Sequence, residues 1–598
     1  MAPPGYQPME DSPVSVRTSR KAWIGGILVG AVVTALLFAV FMVCFAAPKP
    51  APPLPANTDP VEKEVEVVVQ LAEASVRGLQ ANSHGRRFRG IPYGKAERFR
   101  NPEPLEMVGE IDARNFSSSC MRASSWHAER MSEDCLHLNV YTPVPTVKNE
   151  IKVPVLIWFH GGSFTMGAGS DLHVEDVKEL VITTRLIVVT VNYRLGIFGF
   201  LGSERLRHGE NSSVGNFGVL DQQMALLWVK TNIQYFGGDP NRIGVVGWSA
   251  GAASISAHLA MPTSEGLFNT AIMMSGGFTK WAAQDMKDSE SDYSNVLWVT
   301  GCDKEKPCKE VGPPCDCLLR KSAADLLKAQ SKVGAGWAPT VDGTHLAKHP
   351  LEALAAGDVL KGIPIVIGGA MEDTLKDIGA TATESDFAQL LATPANKGGL
   401  GVPQSMVDEA KEIYLKNSAA PTENGLDRWS PAYWAARRAG ADKTMNCIAR
   451  RAANLWQANT ESHSYWYVWA NPPIARYPDP PRPGPNATFK IGGCWPCPGA
   501  THGSDTSYLF EKNNVNVNDN SANLADLYQT FFRNMVYNRD PNTWKGLLLS
   551  QKGNHSHQLR EVWPSKPDTG MFFKAGAVRA HTGLKSQECD FWDRLAQN

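Results

Sequence analysis

Gly247-Trp248-Ser249-Ala250-Gly251 follows the G-x-S-x-G pattern. In that pattern the glycines let a strand and a helix approach closely, leaving the serine on a sharp turn with its hydroxyl exposed. A serine so held could serve as the nucleophile of an acyl transfer. Ordinary Gly and Ser usage produces such a match about 0.3 times in a chain this long, so the flanks carry the argument. Ile243–Val246 leads in as an apolar strand, and the small-residue helix AGAASISAHLA leads out. Acyl transfer also needs donors for a developing negative charge. His160-Gly161-Gly162-Ser163-Phe164 ends an apolar run, and the backbone N–H groups of Gly162 and Ser163, joined by that of Ala250, could bind it. An ordinary glycine turn is the competing reading of that loop.

These loops must be held by strands. Val153–Phe159 (VPVLIWF) and Leu186–Asn192 (LIVVTVN) read as buried strands, and Ile243–Val246 as a third. Strands of this kind alternating with helical stretches predict a mostly parallel α/β sheet covered on both faces. Proline-rich Pro472–Pro485 and asparagine-rich Asn513–Asn523 read as surface loops, and no fixed-period repeat occurs. The 598 residues are 43% hydrophobic and 20% charged, which excludes a disordered or collagen-like chain. A net charge of −1 argues against a nucleic-acid partner.

Further motifs occur in order along the chain. Phe88-Arg89-Gly90-Ile91-Pro92-Tyr93 is followed by Ser132-Glu133-Asp134-Cys135-Leu136 with Leu138-Asn139-Val140. Asn192-Tyr193-Arg194, Gly215-Asn216, Leu220-Asp221-Gln222 and Phe236-Gly237-Gly238-Asp239-Pro240 complete the series. Across residues 62–598 the chain resembles the type-B carboxylesterase/cholinesterase family. The resemblance implies an α/β-hydrolase fold with a deep gorge, a small-molecule ester as substrate, and no cofactor or metal. By position it makes Ser249 the nucleophile and His502, in Ala500-Thr501-His502-Gly503, the general base. The acid falls in Met371-Glu372-Asp373-Thr374, where the family register favours Asp373 over the adjacent Glu372. Arg98 with Glu133 and Arg194 with Asp221 resemble the family's two internal ion pairs.

Residues 22–47 (AWIGGILVGAVVTALLFAVFMVCFAA) are uncharged and exceed the ~20 needed to span a bilayer. Arg17, Arg20 and Lys21 precede them, so the positive-inside rule predicts a type II signal anchor. The expected organisation is a cytoplasmic tail over 1–21, a transmembrane anchor over 22–47, a proline-rich stalk over 48–61 and the hydrolase domain over 62–598. A cleavable signal peptide is the alternative. An outer location would admit glycosylation at Asn115, Asn211, Asn486 and Asn554, and also oxidised cysteines.

Of eleven cysteines, Cys44 lies in the apolar segment, which leaves ten. The resemblance implies Cys120–Cys135, Cys302–Cys317 and the long-range bridge Cys447–Cys589. Neighbour pairing suggests Cys308–Cys315 and Cys494–Cys497, with two cross-pairings open. Cys494-Trp495-Pro496-Cys497 could be a redox motif, but its Gly/Pro-rich loop before His502 favours a structural bridge. Zinc is a poor alternative without a second C-x-x-C or paired His nearby.

Trp248 stands where the family commonly has an acidic residue, which removes a charge beside Ser249. Trp126 lies close to where cholinesterases keep a choline-stacking tryptophan, although a structural role is the preferred reading. Both are candidate pocket residues. The sequence therefore favours a general carboxylesterase acting on uncharged esters. A membrane-tethered adhesion protein with a cell-surface protein partner is the competing class, and a choline esterase the second alternative.

Overall fold

The computed structural model describes residues 64–597 apart from 82–84, 124–129, 145–151, 172–173, 210–211, 306–307, 309–314, 335, 375, 377, 417–428, 473–498, 511–518 and 543–561. The tail, anchor and stalk expected before residue 62 lie outside these residues, as do Trp126, Asn211, Asn486, Asn554, Cys494 and Cys497. Among the described residues no helix is long and apolar enough to cross a membrane.

Among the described residues thirteen strands form one sheet. They are β1 (Val65–Gln70), β2 (Ala74–Ala81), β3 (Gly85–Pro92), β4 (Gly109–Asp112), β5 (His137–Thr142), β6 (Val153–Phe159), β7 (Ile187–Val191), β8 (Gly238–Trp248), β9 (Thr270–Met274), β10 (Ile365–Ala370), β11 (Ser464–Trp469), β12 (Thr569–Phe573) and β13 (Arg579–Thr582). Their order is β1-β2-β3-β5-β7-β6-β8-β9-β10-β11-β12-β13, with β4 beside β2. The strands from β7 through β12 pair in parallel, and antiparallel pairs flank them. Strands buried on both faces need apolar side chains throughout. In β6, Val155, Ile157 and Phe159 enter one core while Leu156 and Trp158 enter another. That alternation is the period-2 geometry of a strand.

The helices that matter for the site are α1 (Phe217–Asn232), α2 (Ala250–Ala260), α3 (Pro431–Ala441), α4 (Cys447–Thr460), α5 (Ser504–Phe510), α6 (Asp519–Asn538) and α7 (Ser586–Gln597). Between α3 and α4 a π-helical turn, Asp442–Asn446, joins the two without a break. Such single-turn π segments concentrate at functional sites.

Asn513–Asn523 reads as a loop, yet α6 begins at Asp519. Leu524, Tyr528, Phe531, Phe532 and Met535 supply the buried helical face that overrides the asparagines' turn preference. The third strand is also longer than Ile243–Val246, extending from Gly238 through polar residues to Trp248.

Candidate active site

Parallel α/β sheets place their working loops beyond the carboxyl ends of the strands. Here β6 runs into His160-Gly161-Gly162, β8 into Ser249, and β10 into Glu372-Asp373. Pairing of Phe159 with Gly247 and of Trp248 with Met274 sets these ends side by side.

Ser249 sits between β8 and α2 at φ 55° and ψ −121°, in the positive-φ region that a serine rarely adopts. Its N–H donates to Met274 O at 2.9 Å, and its carbonyl accepts from Ala253 N at 2.9 Å. The turn is therefore pinned by both the neighbouring strand and the following helix. Only glycine fits two residues on, because a Cβ at Gly251 would overlap the Phe159 carbonyl oxygen.

The β6 loop carries three consecutive positive φ values: 115° at Gly162, 52° at Ser163 and 57° at Phe164. Held backbone of this kind costs of order 1–3 kcal/mol per strained residue. Successive N–H groups can in return point into one concavity suited to an anion. Among the described residues, no backbone acceptor meets the N–H groups of Gly162, Ser163 or Ala250.

Beyond β10, Asp373 is buried and its Oδ1 lies 2.7 Å from His502 Nδ1. Its Oδ2 accepts from Ala370 N at 3.1 Å. A carboxylate only accepts, so Nδ1 carries the proton and Nε2 is left with a lone pair. Burial lowers the His502 pKa, but the charge of Asp373 and the hydrogen bond to it raise it further, and the balance lies above the ordinary imidazole value. The imidazole remains reachable, with its side chain 30% exposed.

Glu372 points elsewhere. Its Oε1 accepts from Arg438 Nε at 3.1 Å, and its Oε2 from Ala500 N at 2.9 Å. Its backbone N–H donates to Ala500 O at 2.9 Å, and its carbonyl accepts from Arg437 at 3.1 Å. Glu372 thus ties the histidine loop to α3, while Asp373 meets the histidine itself.

The indole of Trp248 lies 5.0 Å from the His502 ring, inclined by 40°. A Cβ at Gly161 would come within 2.7 Å of this indole, and one at Gly503 within 2.8 Å. Trp248 therefore fills the space between the Gly161 loop and the histidine loop. Asp505, three residues after His502, is fully buried, and burial pushes its carboxyl up to about 6. It accepts from Tyr467 Oη at 2.6 Å. Sequence reasoning did not single out Asp505, Arg438 or the π turn, because their significance depends on partners far away in the chain.

The structural residues also fall into place. Arg194 and Asp221 of α1 form a buried bidentate pair at 2.6 and 2.8 Å. Arg98 reaches Glu133 through Nε at 2.9 Å and also donates to the carbonyls of Leu318, Leu319 and Lys321. Cys120–Cys135, Cys302–Cys317, Cys308–Cys315 and Cys447–Cys589 are bonded. The sulfurs of Cys302, Cys315 and Cys317 lie within 4.8 Å of one another, but as disulfides they offer no thiolate to a metal. Asn115 is exposed.

Residues 65–592 match the model of the carboxylesterase family. Para-nitrobenzyl esterase of Bacillus subtilis (strain 168) is 36% identical over 51% of this chain and 63% of its own length. Cholinesterase of Mus musculus is 35% identical over 51% of this chain and 53% of its own. The chain thus spans about half to two thirds of the length of these curated relatives. Among solved structures, a PNB esterase superposes with a TM-score of 0.65 at 25% identity, covering 88% of this chain and 99% of that one. The sheet order, the turn at Ser249 and these matches lead to one conclusion: the chain has the α/β-hydrolase fold and belongs to the carboxylesterase family.

Proposed function

We propose that the protein is a serine carboxylesterase, with Ser249 as nucleophile, His502 as general base and Asp373 as the acid that orients it. The observation that carries this reading is the 2.7 Å Asp373–His502 hydrogen bond, together with a serine strained at φ 55° whose neighbour Trp248 lies 5.0 Å from the His502 ring. In acylation His502 Nε2 takes the Ser249 proton while Oγ bonds to the ester carbonyl carbon. The carbonyl oxygen becomes an oxyanion facing the N–H groups of Gly162, Ser163 and Ala250. Collapse breaks the bond to the alkoxy oxygen, and His502 delivers its proton to the departing alcohol. A water then attacks the acyl-enzyme, gives a proton to His502 and releases the carboxylic acid, returning the proton to Ser249. Asp373 holds the imidazole in its tautomer and stabilises the imidazolium.

Uncharged esters suit the site best, since Trp248 stands where a carboxylate would supply the negative charge that attracts a cationic substrate. The enzyme reading is tested by ester hydrolysis with wild type and Ser249→Ala. Equal rates would instead favour an inert cell-surface binding protein.

Membrane attachment is part of the same proposal. Residues 22–47 form the anchor and 48–61 the stalk, with the hydrolase domain outside the cytosol. The four disulfides among the described residues and the exposed Asn115 support it. Glycosidase treatment of protein from a secretory host should lower its apparent mass. No shift, with the domain labelled by cytosolic reagents, would reverse the topology.

A further inference from the structure

The acid of the site is braced from behind by a buried polar chain that begins at the C-terminal helix. Asn446, on the π turn between α3 and α4, is fully buried, and its Nδ2 donates to Ala370 O at 3.1 Å and to Asp442 Oδ1 at 3.2 Å. Two acceptors on that side fix the amide orientation and leave Asn446 Oδ1 buried without a donor among the described residues. Asp373 folds back on both peptides that meet at Ala370, and Asn446 holds the carbonyl of the second of them. Ala370 N donates to Asp373 Oδ2 at 3.1 Å, and Asp373 N donates to Ala370 O at 3.3 Å.

Asp442 is anchored in turn. Lys585 lies 2.7 Å from its Oδ1 and 2.9 Å from its Oδ2, and Tyr414 Oη donates to Oδ2 at 3.1 Å. Trp592 of α7 donates to that tyrosine oxygen at 2.7 Å, and Cys447–Cys589 bonds α4 to α7. An ordinary α-helical turn advances about 100° per residue, and the π turn alters that phase. Four residues apart, Asp442 and Asn446 lie on one face, where the amide of Asn446 reaches both Asp442 and Ala370 at the end of β10. A buried amide with an unsatisfied oxygen is costly, so its presence calls for a compensating role.

We infer that Asn446 is a positioning residue: by holding the Ala370 peptide it sets the Asp373 carboxylate toward His502, and Lys585 and α7 supply the far end of that support. The inference rests on the triad proposed above. It makes the last helix of the chain part of the catalytic apparatus without any contact with substrate.

The full chain should be compared as wild type, Asn446→Leu, Lys585→Met and Lys585→Arg, assayed on a neutral nitrophenyl ester across pH. Leucine keeps the branched outline of Asn446 and removes both donors. Asn446→Leu should lower kcat on the order of 10-fold with KM nearly unchanged, the scale of a network residue that touches no ligand. The acid limb of kcat/KM should move to lower pH, because a poorly aimed Asp373 stabilises the imidazolium less. Lys585→Met should move both readouts in the same direction, and Lys585→Arg should restore them. If Asn446→Leu does not fold, the Met and Arg variants at 585 decide the matter alone. Wild-type kcat and an unmoved acid limb in the folded variants, whatever their melting temperatures, would overturn the inference. Ser249→Ala separates the two levels. Full activity in that variant defeats the triad itself, whereas an inactive Ser249→Ala beside a normal Asn446→Leu defeats only the positioning role.

Discussion

Replacing Asp373 and Glu372 one at a time should give opposite phenotypes, although the two carboxylates are neighbours in the chain. Asp373→Asn retains size and the contact to Ala370 N, so the fold should survive. Its amide would present a donor to His502 Nδ1, 2.7 Å away in the wild type, and the imidazole would be driven to the other tautomer. Nε2 would then carry the proton and could not accept the one on Ser249. Loss of the equivalent charge in the best-studied triad costs about 10⁴ in kcat, close to 5.5 kcal/mol of transition-state stabilisation. Glu372→Gln removes the charge facing Arg438, whose side chain is 9% exposed against 3% for Glu372. Breaking so buried a pair costs up to roughly 3–5 kcal/mol. The single glutamine oxygen can accept from Arg438 or from Ala500 N but not from both, and the amide N–H groups meet a donor at the other, so the loss should fall within that range. The melting temperature should therefore drop by several degrees while kcat stays within about tenfold of wild type. Steady-state kinetics and thermal melts on the purified pair read both axes. A collapse of kcat in Glu372→Gln with near-normal Asp373→Asn would reverse the assignment, and two near-wild-type enzymes would leave His502 without its acid.

Three further outcomes follow from the same geometry. Asp505, buried with its carboxyl pushed up from 3.8 to about 6, binds its proton more tightly folded than unfolded. Stability from this group is therefore present at low pH and lost as pH rises through about 6, roughly 3 kcal/mol in all. Asp505→Asn should raise the melting temperature at pH 8 and converge with wild type near pH 4, and a gain at pH 4 only would contradict it. Trp248→Glu should raise the ratio of choline-ester to neutral-ester kcat/KM and lift the acid limb set by His502, and an unchanged ratio would remove Trp248 from the alcohol side of the pocket. Replacing Cys447 and Cys589 by alanine frees a loop spanning a sequence separation of 142, which should cost roughly 4–5 kcal/mol in denaturant unfolding.

The sheet was legible because strands buried on both faces leave apolar runs. Val153–Phe159 and the helix Ala250–Ala260 end where the residue pattern places them. Leu186–Asn192 shortens by one residue at each end, where pairing stops while burial continues. Gly162 and Gly251 were legible because a positive φ at one and a close approach of backbone at the other demand glycine. Deciding between Glu372 and Asp373 was not, since consecutive side chains diverge and only Arg438, Ala500 and His502 tell them apart. The π turn left no trace in the sequence either. A one-residue phase change in a helix becomes meaningful only when Asn446 finds Ala370, 76 residues away. Asp519–Asn523 misled in the opposite direction, because a turn-rich composition yielded to a helix with an aromatic face.

The central claim is that Ser249 forms the acyl-enzyme. Secreted residues 56–598 should be treated with a phosphonate ester that labels activated serines, in wild-type and Ser249→Ala forms, and digested for mass spectrometry. One equivalent of label on the peptide containing Ser249, with parallel loss of ester hydrolysis and none of either in Ser249→Ala, is the predicted result. Stoichiometric label on another residue, or undiminished hydrolysis by Ser249→Ala, would contradict it.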